Sequence, residues 1–221
     1  MTSINTNVGA LNARASAVQA TTRMEKAMER LSSGMRVNSA SDDAAGLAVA
    51  GKMESQLRGI NMSIRNAQDG MGLIQTAESG LNEIRNMVLR IRELAVQMAN
   101  GIYENTPDRS NAQLEVTALI DQVTLIAENT RFNDIAVLDG SFTGVSIQTG
   151  NTTAETITLS FIDVASSGLS IDTATVATQS DATVAMGTMD TALQTIASEQ
   201  AKFGSLINRL NFSVANQSKA S

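Results

Sequence analysis

The 221-residue sequence predicts a mainly α-helical protein, a long antiparallel helical rod or coiled-coil bundle with a small β-hairpin region. In two long segments, apolar residues recur at alternating spacings of three and four, which is the heptad pattern of helices that pack along their length. A single proline, Pro107, permits long uninterrupted helices. One internal segment instead alternates β-branched and polar residues, which is typical of strands.

The composition excludes several classes of function. A net charge of −6 lacks the basic surface that nucleic acid requires, so we expect no nucleic-acid partner. Without cysteine or histidine, the usual zinc ligands, thiol nucleophiles and imidazole acid–base groups are absent, and we expect no metal, no cofactor and no catalytic residue. No apolar run approaches a membrane span, and the N-terminus has no Sec-type signal pattern.

The first segment predicts an amphipathic helix from Val8 to Leu31 with a break in its heptad register. Gly34 and the Ser- and Asn-rich residues around it interrupt that helix. Ser41, Asp42 and Asp43 then supply an N-cap and negative charge for the next helix. Helix capping therefore explains the two adjacent carboxylates better than a catalytic pair or a metal site does.

The second segment predicts a long helix over residues 44–99. Three glycines inside it, Gly70, Gly72 and Gly80, each cost about 1 kcal/mol relative to alanine, which indicates close helix approach or bending. A shorter helix is predicted over 110–129, after the residues around Pro107. The apolar heptad positions of the long helix are Met53, Leu57, Ile60, Ile64, Ala67, Met71, Ile74, Leu81, Ile84, Val88, Ile91, Ala95 and Met98.

The remaining chain predicts a β-hairpin region over about 131–165, irregular surface over 166–181 and a final helix over 182–221. Strands at Val145–Gln148 and Ile157–Ser160 flank a turn-rich segment. The final helix carries its own heptad seam, so we expect it to pack antiparallel against the long helix. The seam positions are Met186, Met189, Leu193, Ile196, Gln200, Phe203, Ile207, Leu210 and Val214. Asn151 begins an N-glycosylation pattern that we take as accidental, and the Ser/Thr-rich stretch 166–180 is a candidate for O-linked sugar.

Five sequence blocks resemble the bacterial flagellins, the subunits of the flagellar filament. In chain order they are SINTNVGALNA (3–13), RLSSGMRVNSASDDAAGLA (30–48), IRNAQDGMGLIQTAESGLNEI (64–84), RIRELAVQMAN (90–100) and FNDIAVLDGSF (132–142). The resemblance implies a D0 helix and spoke linker at 1–43 and a D1 rod at 44–221. It also implies secretion by the flagellar type III apparatus into an extracellular filament, with hook-associated and cap proteins and other subunits as partners and no insertion into a membrane.

The resemblance further implies that the apolar residues of the first helix are the D0 assembly surface. In the family a C-terminal D0 helix pairs with this surface, and residues 1–221 lack it. We therefore expect residues 1–221 alone not to form an ordinary stable filament. The assembly residues implied are Val8, Leu11, Val18, Met24, Met28 and Leu31.

A second, mixed face lies beside the core positions of RIRELAVQMAN. It contains Arg90, Glu93, Leu94 and Gln97, and an exposed Leu beside Arg is common at interfaces. The face is a solvated surface with a stray Leu, or a contact between subunits. The resemblance adds recognition by the innate Toll-like receptor for flagellin, in which Glu115 on the neighbouring helix takes part.

Three other functions stay open at this point. A hook–filament junction protein shares the terminal patterns of the family. A non-polymerising flagellin that acts only as a receptor-binding module belongs to another class. An enzyme is the least favoured, because the sequence offers no histidine or cysteine and no converging polar cluster.

Overall fold

The computed structural model describes residues 7–220, which form four long helices and two small β-hairpins. These long helices and small hairpins confirm the predicted fold class. The strands are β1 (Arg131–Phe132), β2 (Ile135–Ala136), β3 (Val145–Gln148) and β4 (Thr156–Leu159). The helices are α1 (Val8–Ser33), α2 (Ala44–Met98), α3 (Ser110–Asn129) and α4 (Gln179–Ala220), with a π-helical turn at Asn105–Arg109 before α3.

The chain divides into two compact units, Met1–Leu57 and Arg58–Ser221. The boundary lies within α2, whereas the sequence places a domain boundary after residue 43. The physical reason is that residues 44–58 are exposed, and the first buried side chain of α2 is Ser63. The first residues of α2 therefore add nothing to the core of the second unit.

The first unit contains α1 and the loop that leads to α2. The side chain of Asn7 accepts a hydrogen bond from the Ala10 backbone N–H and caps α1. The helix ends at Gly34, whose φ of 68° is left-handed, as glycine permits. Asp43 Oδ1 accepts a hydrogen bond of 2.8 Å from the Gly46 N–H and so caps α2, as the sequence predicts.

The core of the second unit lies between α2, α3 and α4. Asn82 of α2 accepts a hydrogen bond from Gln200 of α4, and further along α2 Arg92 pairs with Asp190. Residue numbers rise along α2 as they fall along α4, so the two helices are antiparallel. The predicted heptad positions that are fully buried are Ile74, Leu81, Ile84, Val88, Ile91 and Ala95 of α2, with Met189, Ile196, Phe203 and Leu210 of α4.

The larger hairpin pairs β3 with β4 in an antiparallel register in which Ile147 lies opposite Ile157. Its outer end is held from both sides. Asn66 of α2 donates to the Gln148 carbonyl, and Ser213 and Gln217 of α4 donate to the Thr149 carbonyl. The hairpin is therefore fixed to both long helices.

The segment between β4 and α4 is irregular and partly exposed, but the prediction that it is all surface is wrong for its buried apolar residues. Leu169, Ile171 and Val176 are buried in the main core. Gln113 of α3 accepts hydrogen bonds from the Val176 N–H and the Thr175 hydroxyl. The segment lacks a periodic pattern because it turns repeatedly, yet its apolar side chains still cover the core.

Candidate interaction surfaces

The predicted mixed face of α2 forms an exposed charged cluster with α3. Arg90 donates a hydrogen bond of 2.9 Å to Glu115 and one of 3.3 Å to Glu93. Both hydrogen bonds raise the pKa of Arg90 above its ordinary value, and the one to Glu115 has the larger effect. Gln97 is also exposed, and its amide donates to the Tyr103 hydroxyl at 3.4 Å. We call Arg90, Glu93, Gln97 and Glu115 the contact face.

Leu94 does not belong to the exposed surface. Only 4% of it is accessible, and it lies in the main core, so the expectation of an exposed Leu94 is wrong. Leu94 follows Arg90 by four residues and therefore points to the same side of α2, where Arg90 meets Glu115 of α3. Because α2 packs against two helices, it needs two apolar stripes, and Leu94 belongs to the stripe that faces α3.

The two carboxylates outnumber the single guanidinium in the contact face. Arg90 bridges Glu93 and Glu115, and both pairs are well exposed to solvent. Exposed ion pairs contribute little to the free energy of unfolding. The cluster therefore contributes little to the stability of the fold.

The apolar residues of α1 form a second exposed surface. No residue of α1 is buried, and its large apolar side chains all lie open to solvent. The first three share one side of the helix, and the last three share another, because the heptad register breaks between them. We call them the α1 apolar set: Val8, Leu11, Val18, Met24, Met28 and Leu31.

An exposed apolar surface of this extent is unusual for a soluble helix that stays alone. A helix gains most of its stability from packing its apolar face. The α1 apolar set is therefore suited to burial against another helix.

Within residues 7–220, no three acidic side chains come close enough together to hold a metal ion. None of the described helices is long and apolar enough to cross a bilayer.

Two charged residues are buried that the sequence pattern did not predict to be so. Arg109 and Glu199 are almost wholly buried. Arg109 precedes α3 and Glu199 lies on α4, both outside the heptad pattern. Charged residues are normally exposed, so the sequence alone contains no signal that would mark these two as buried.

Comparison with known proteins gives consistent similarities. A model of the bacterial flagellin N-terminal helical region matches residues 4–143. A flagellin of Halalkalibacterium halodurans is 36% identical over 222 residues, which is 99% of this chain and 80% of that protein. Polar flagellin F of Vibrio parahaemolyticus is 42% identical over 166 residues, which is 75% of this chain. The chain spans 44% of the length of that Vibrio relative.

Solved structures resemble the fold as well. The crystal structure of Bacillus cereus flagellin is similar with a TM-score of 0.63 and 35% identity, over 69% of this chain and 88% of that chain. The structure of FliC from Burkholderia pseudomallei is similar with a TM-score of 0.54 over 63% of this chain and 99% of that chain. Its 21% identity limits that second similarity to the fold.

Proposed function

Because the chain belongs to the bacterial flagellin family, we propose that it is a structural subunit that self-assembles into the flagellar filament. The observation that carries this proposal is the α1 apolar set, which is exposed throughout. Burial of apolar area drives association, and long helices bury it along their whole length. Assembly of this kind needs no catalytic group, and we propose no enzymatic activity.

Other subunits are the partners that this surface fits. As a filament subunit, the chain would leave the cell through the flagellar type III apparatus. It would then join an extracellular filament that also contains hook-associated and cap proteins. In this proposal residues 1–43 are the D0 helix and linker and residues 44–221 are the D1 rod, whose compact part begins at Arg58 within α2. The buried seam supports a rigid rod, since α2 buries its apolar heptad positions between Ile74 and Ala95 and α4 buries its own between Met189 and Leu210.

Sedimentation and electron microscopy test the assembly proposal. We would compare residues 1–221 with the same chain carrying a C-terminal D0 helix appended after Ser221. We expect ordinary filaments only from the extended chain, because the appended helix covers one side of the α1 apolar set and neighbouring subunits cover the other. If neither chain forms filaments or other ordered polymers at any concentration, the proposal fails.

A matched pair of variants locates the contact. Leu11→Asp places a charge in the α1 apolar set, and Asn12→Asp places the same charge on a neighbouring polar position. We expect Leu11→Asp in the extended chain to abolish sedimentation and Asn12→Asp to leave it intact. Equal loss in both variants would assign the effect to charge and not to the apolar surface.

A second function is favoured by the contact face. We propose that the unassembled chain is recognised by the innate Toll-like receptor for flagellin through Arg90, Glu93, Gln97 and Glu115. Bridged, exposed charges in a fixed geometry are suited to specific recognition. Leu94 lies one turn after Arg90 on α2 and is buried in the core beneath this face.

Receptor signalling tests this second function with substitutions on the surface alone. We expect Arg90→Ala and Glu115→Ala each to raise the concentration for half-maximal signalling about tenfold. Arg65→Ala, an exposed arginine earlier on α2, is the matched control and should signal normally. Leu94→Ala is unsuitable because it opens a core cavity at a cost of about 2–5 kcal/mol. Unchanged signalling by Arg90→Ala and Glu115→Ala would exclude the receptor role.

A further inference from the structure

The two methionines of α1, Met24 and Met28, are highly accessible. Met24 is 62% exposed and Met28 is 64% exposed, one helical turn apart on the same side of α1. Leu31 follows on that side and is likewise exposed. Together these three residues form a continuous apolar patch at the C-terminal end of α1, and two of them carry an oxidisable sulfur.

The same chain contains protected methionines. Met98 and Met189 are buried in the core of the second unit. Oxidation of methionine follows the exposure of its sulfur. The fold therefore leaves Met24 and Met28 open to an oxidant and protects Met98 and Met189 from it.

We propose that Met24 and Met28 are an oxidation site that switches off association through α1. The inference rests on the proposed filament function, because it requires the α1 apolar set to be an assembly surface. A peroxide or hypochlorous acid transfers one oxygen atom to the thioether sulfur. The sulfur loses two electrons and becomes a sulfoxide, while the peroxide is reduced to water or the hypochlorous acid to chloride and a proton.

The sulfoxide changes the surface in a defined way. It replaces a flexible apolar side chain with a polar, chiral one, and such a change disrupts methionine-rich interfaces. In the patch formed with Leu31, two sulfoxides one turn apart would place two polar oxygens where burial requires apolar atoms. The modification acts on the subunit before assembly, while the patch is exposed, and a methionine sulfoxide reductase with a thiol reductant reverses it.

The test begins with the pattern of oxidation. Residues 1–221 are treated with dilute hydrogen peroxide, and the sulfoxide at each methionine is followed by peptide mass spectrometry. We expect Met24 and Met28 to oxidise at least about tenfold faster than Met98 and Met189. Equal rates at all four residues would overturn the proposal.

The second step measures assembly of the chain extended with the C-terminal D0 helix. We expect peroxide treatment to raise the concentration needed for sedimentation at least about tenfold, and reductase treatment to restore it. The double variant Met24→Leu/Met28→Leu keeps the patch apolar and should assemble after the same treatment. Met35→Leu is the matched control, because Met35 is 57% exposed but lies beyond α1, and this variant should remain sensitive.

The outcomes separate the two proposals. If the untreated extended chain does not assemble, the filament function fails and the switch fails with it. If the untreated chain assembles and the oxidised chain assembles equally well, only the switch is overturned. Loss of assembly by the oxidised Met24→Leu/Met28→Leu variant also overturns it, since other methionines would then be responsible. If that variant does not assemble before treatment, the reductase experiment on the parent chain is used instead. Recovery of assembly by the oxidised parent chain supports the switch, and failure to recover overturns it.

Discussion

Gly80 of α2 lies directly against Leu138, so closely that a Cβ added at Gly80 would be 2.9 Å from Leu138 Cδ1. The same atom would be 2.8 Å from Thr130 Oγ1. Neither neighbour can easily move. Leu138 is fully buried, and the Thr130 hydroxyl donates to the Ile126 carbonyl at 2.6 Å.

We expect Gly80→Ala to lower the free energy of unfolding by about 1–2 kcal/mol. Overpacking a core costs about 1–3 kcal/mol, and the gain in helix propensity offsets up to about 1 kcal/mol of it. Chemical denaturation followed by circular dichroism measures the change. Gly187→Ala in α4 is the control, because a Cβ there meets nothing within 4 Å and should stabilise the chain. Stabilisation by both substitutions would show that the Gly80 contact is loose.

The surroundings of Gly80 show which features of the fold the sequence predicts and which it does not. The heptad spacing predicted α2 and α4 and most of their buried positions, because a 3–4 repeat specifies which side of a helix is apolar. Three internal glycines indicated a close approach. The approaching residue could not be predicted, since Leu138 comes from an irregular connection whose path leaves no periodic signal.

The contact face shows the same limit. The spacing showed that α2 has a second, mixed side, and Arg90 and Glu115 do meet there. It could not show that Leu94 packs inside the subunit, because a second stripe looks the same whether α3 or another molecule covers it. The irregular segment before α4 was misjudged for a related reason. Absence of periodicity excludes regular structure, but it does not exclude burial, as Ile171 demonstrates.

Arg109 organises the turn between α2 and α3. Its buried guanidinium donates to the carbonyls of Met98, Asn100 and Tyr103 and to the Asn105 side chain. These acceptors include the end of α2, whose last carbonyls lack helical partners. The planar fork of arginine suits several acceptors at once.

We therefore expect Arg109→Lys to cost about 2–3 kcal/mol of unfolding free energy, because one ammonium cannot reach all four acceptors. A chain of this size should lose about 2–4 °C in Tm per kcal/mol. Calorimetry measures the shift, with the exposed Arg65→Lys as the control. An unchanged Tm for Arg109→Lys would show that solvent satisfies these carbonyls equally well.

Glu199 of α4 is a buried carboxylate with one ion-pair partner. Lys202 donates to Oε2 at 2.8 Å, while no donor among residues 7–220 reaches Oε1. Lys202 itself is half exposed. Burying a carboxylate is costly, and replacing a buried pair with apolar groups is often neutral or stabilising.

We expect Glu199→Leu to be neutral or to stabilise the chain by up to about 2 kcal/mol, whereas Lys202→Met should destabilise it by about 1–3 kcal/mol. The second substitution leaves the buried carboxylate without its counter-charge. Denaturation of the two single variants and the double variant completes a thermodynamic cycle. A larger loss from Glu199→Leu than from Lys202→Met would contradict this account.

The Arg92–Asp190 pair between α2 and α4 predicts a dependence of stability on pH. Arg92 donates to both carboxylate oxygens of Asp190, and this hydrogen bond lowers the pKa of Asp190 below its ordinary value of 3.8. Because the folded pKa lies below the unfolded pKa, the unfolded chain binds more protons in this range. The contribution of the pair is therefore complete above the unfolded pKa and is lost as the pH falls through the folded pKa.

We expect Asp190→Asn to have a lower urea midpoint of unfolding than the parent chain at pH 7. This difference in midpoint should shrink as the pH falls below about 4. Added salt at pH 7 should also reduce the difference, since both side chains are exposed and salt screens such pairs. Asp121→Asn on the exposed side of α3 is the control for loss of a carboxylate in general. A difference in urea midpoint between Asp190→Asn and the parent that grows toward low pH would have the opposite sign to the one expected. It would exclude the Arg92–Asp190 pair as the source of the pH dependence.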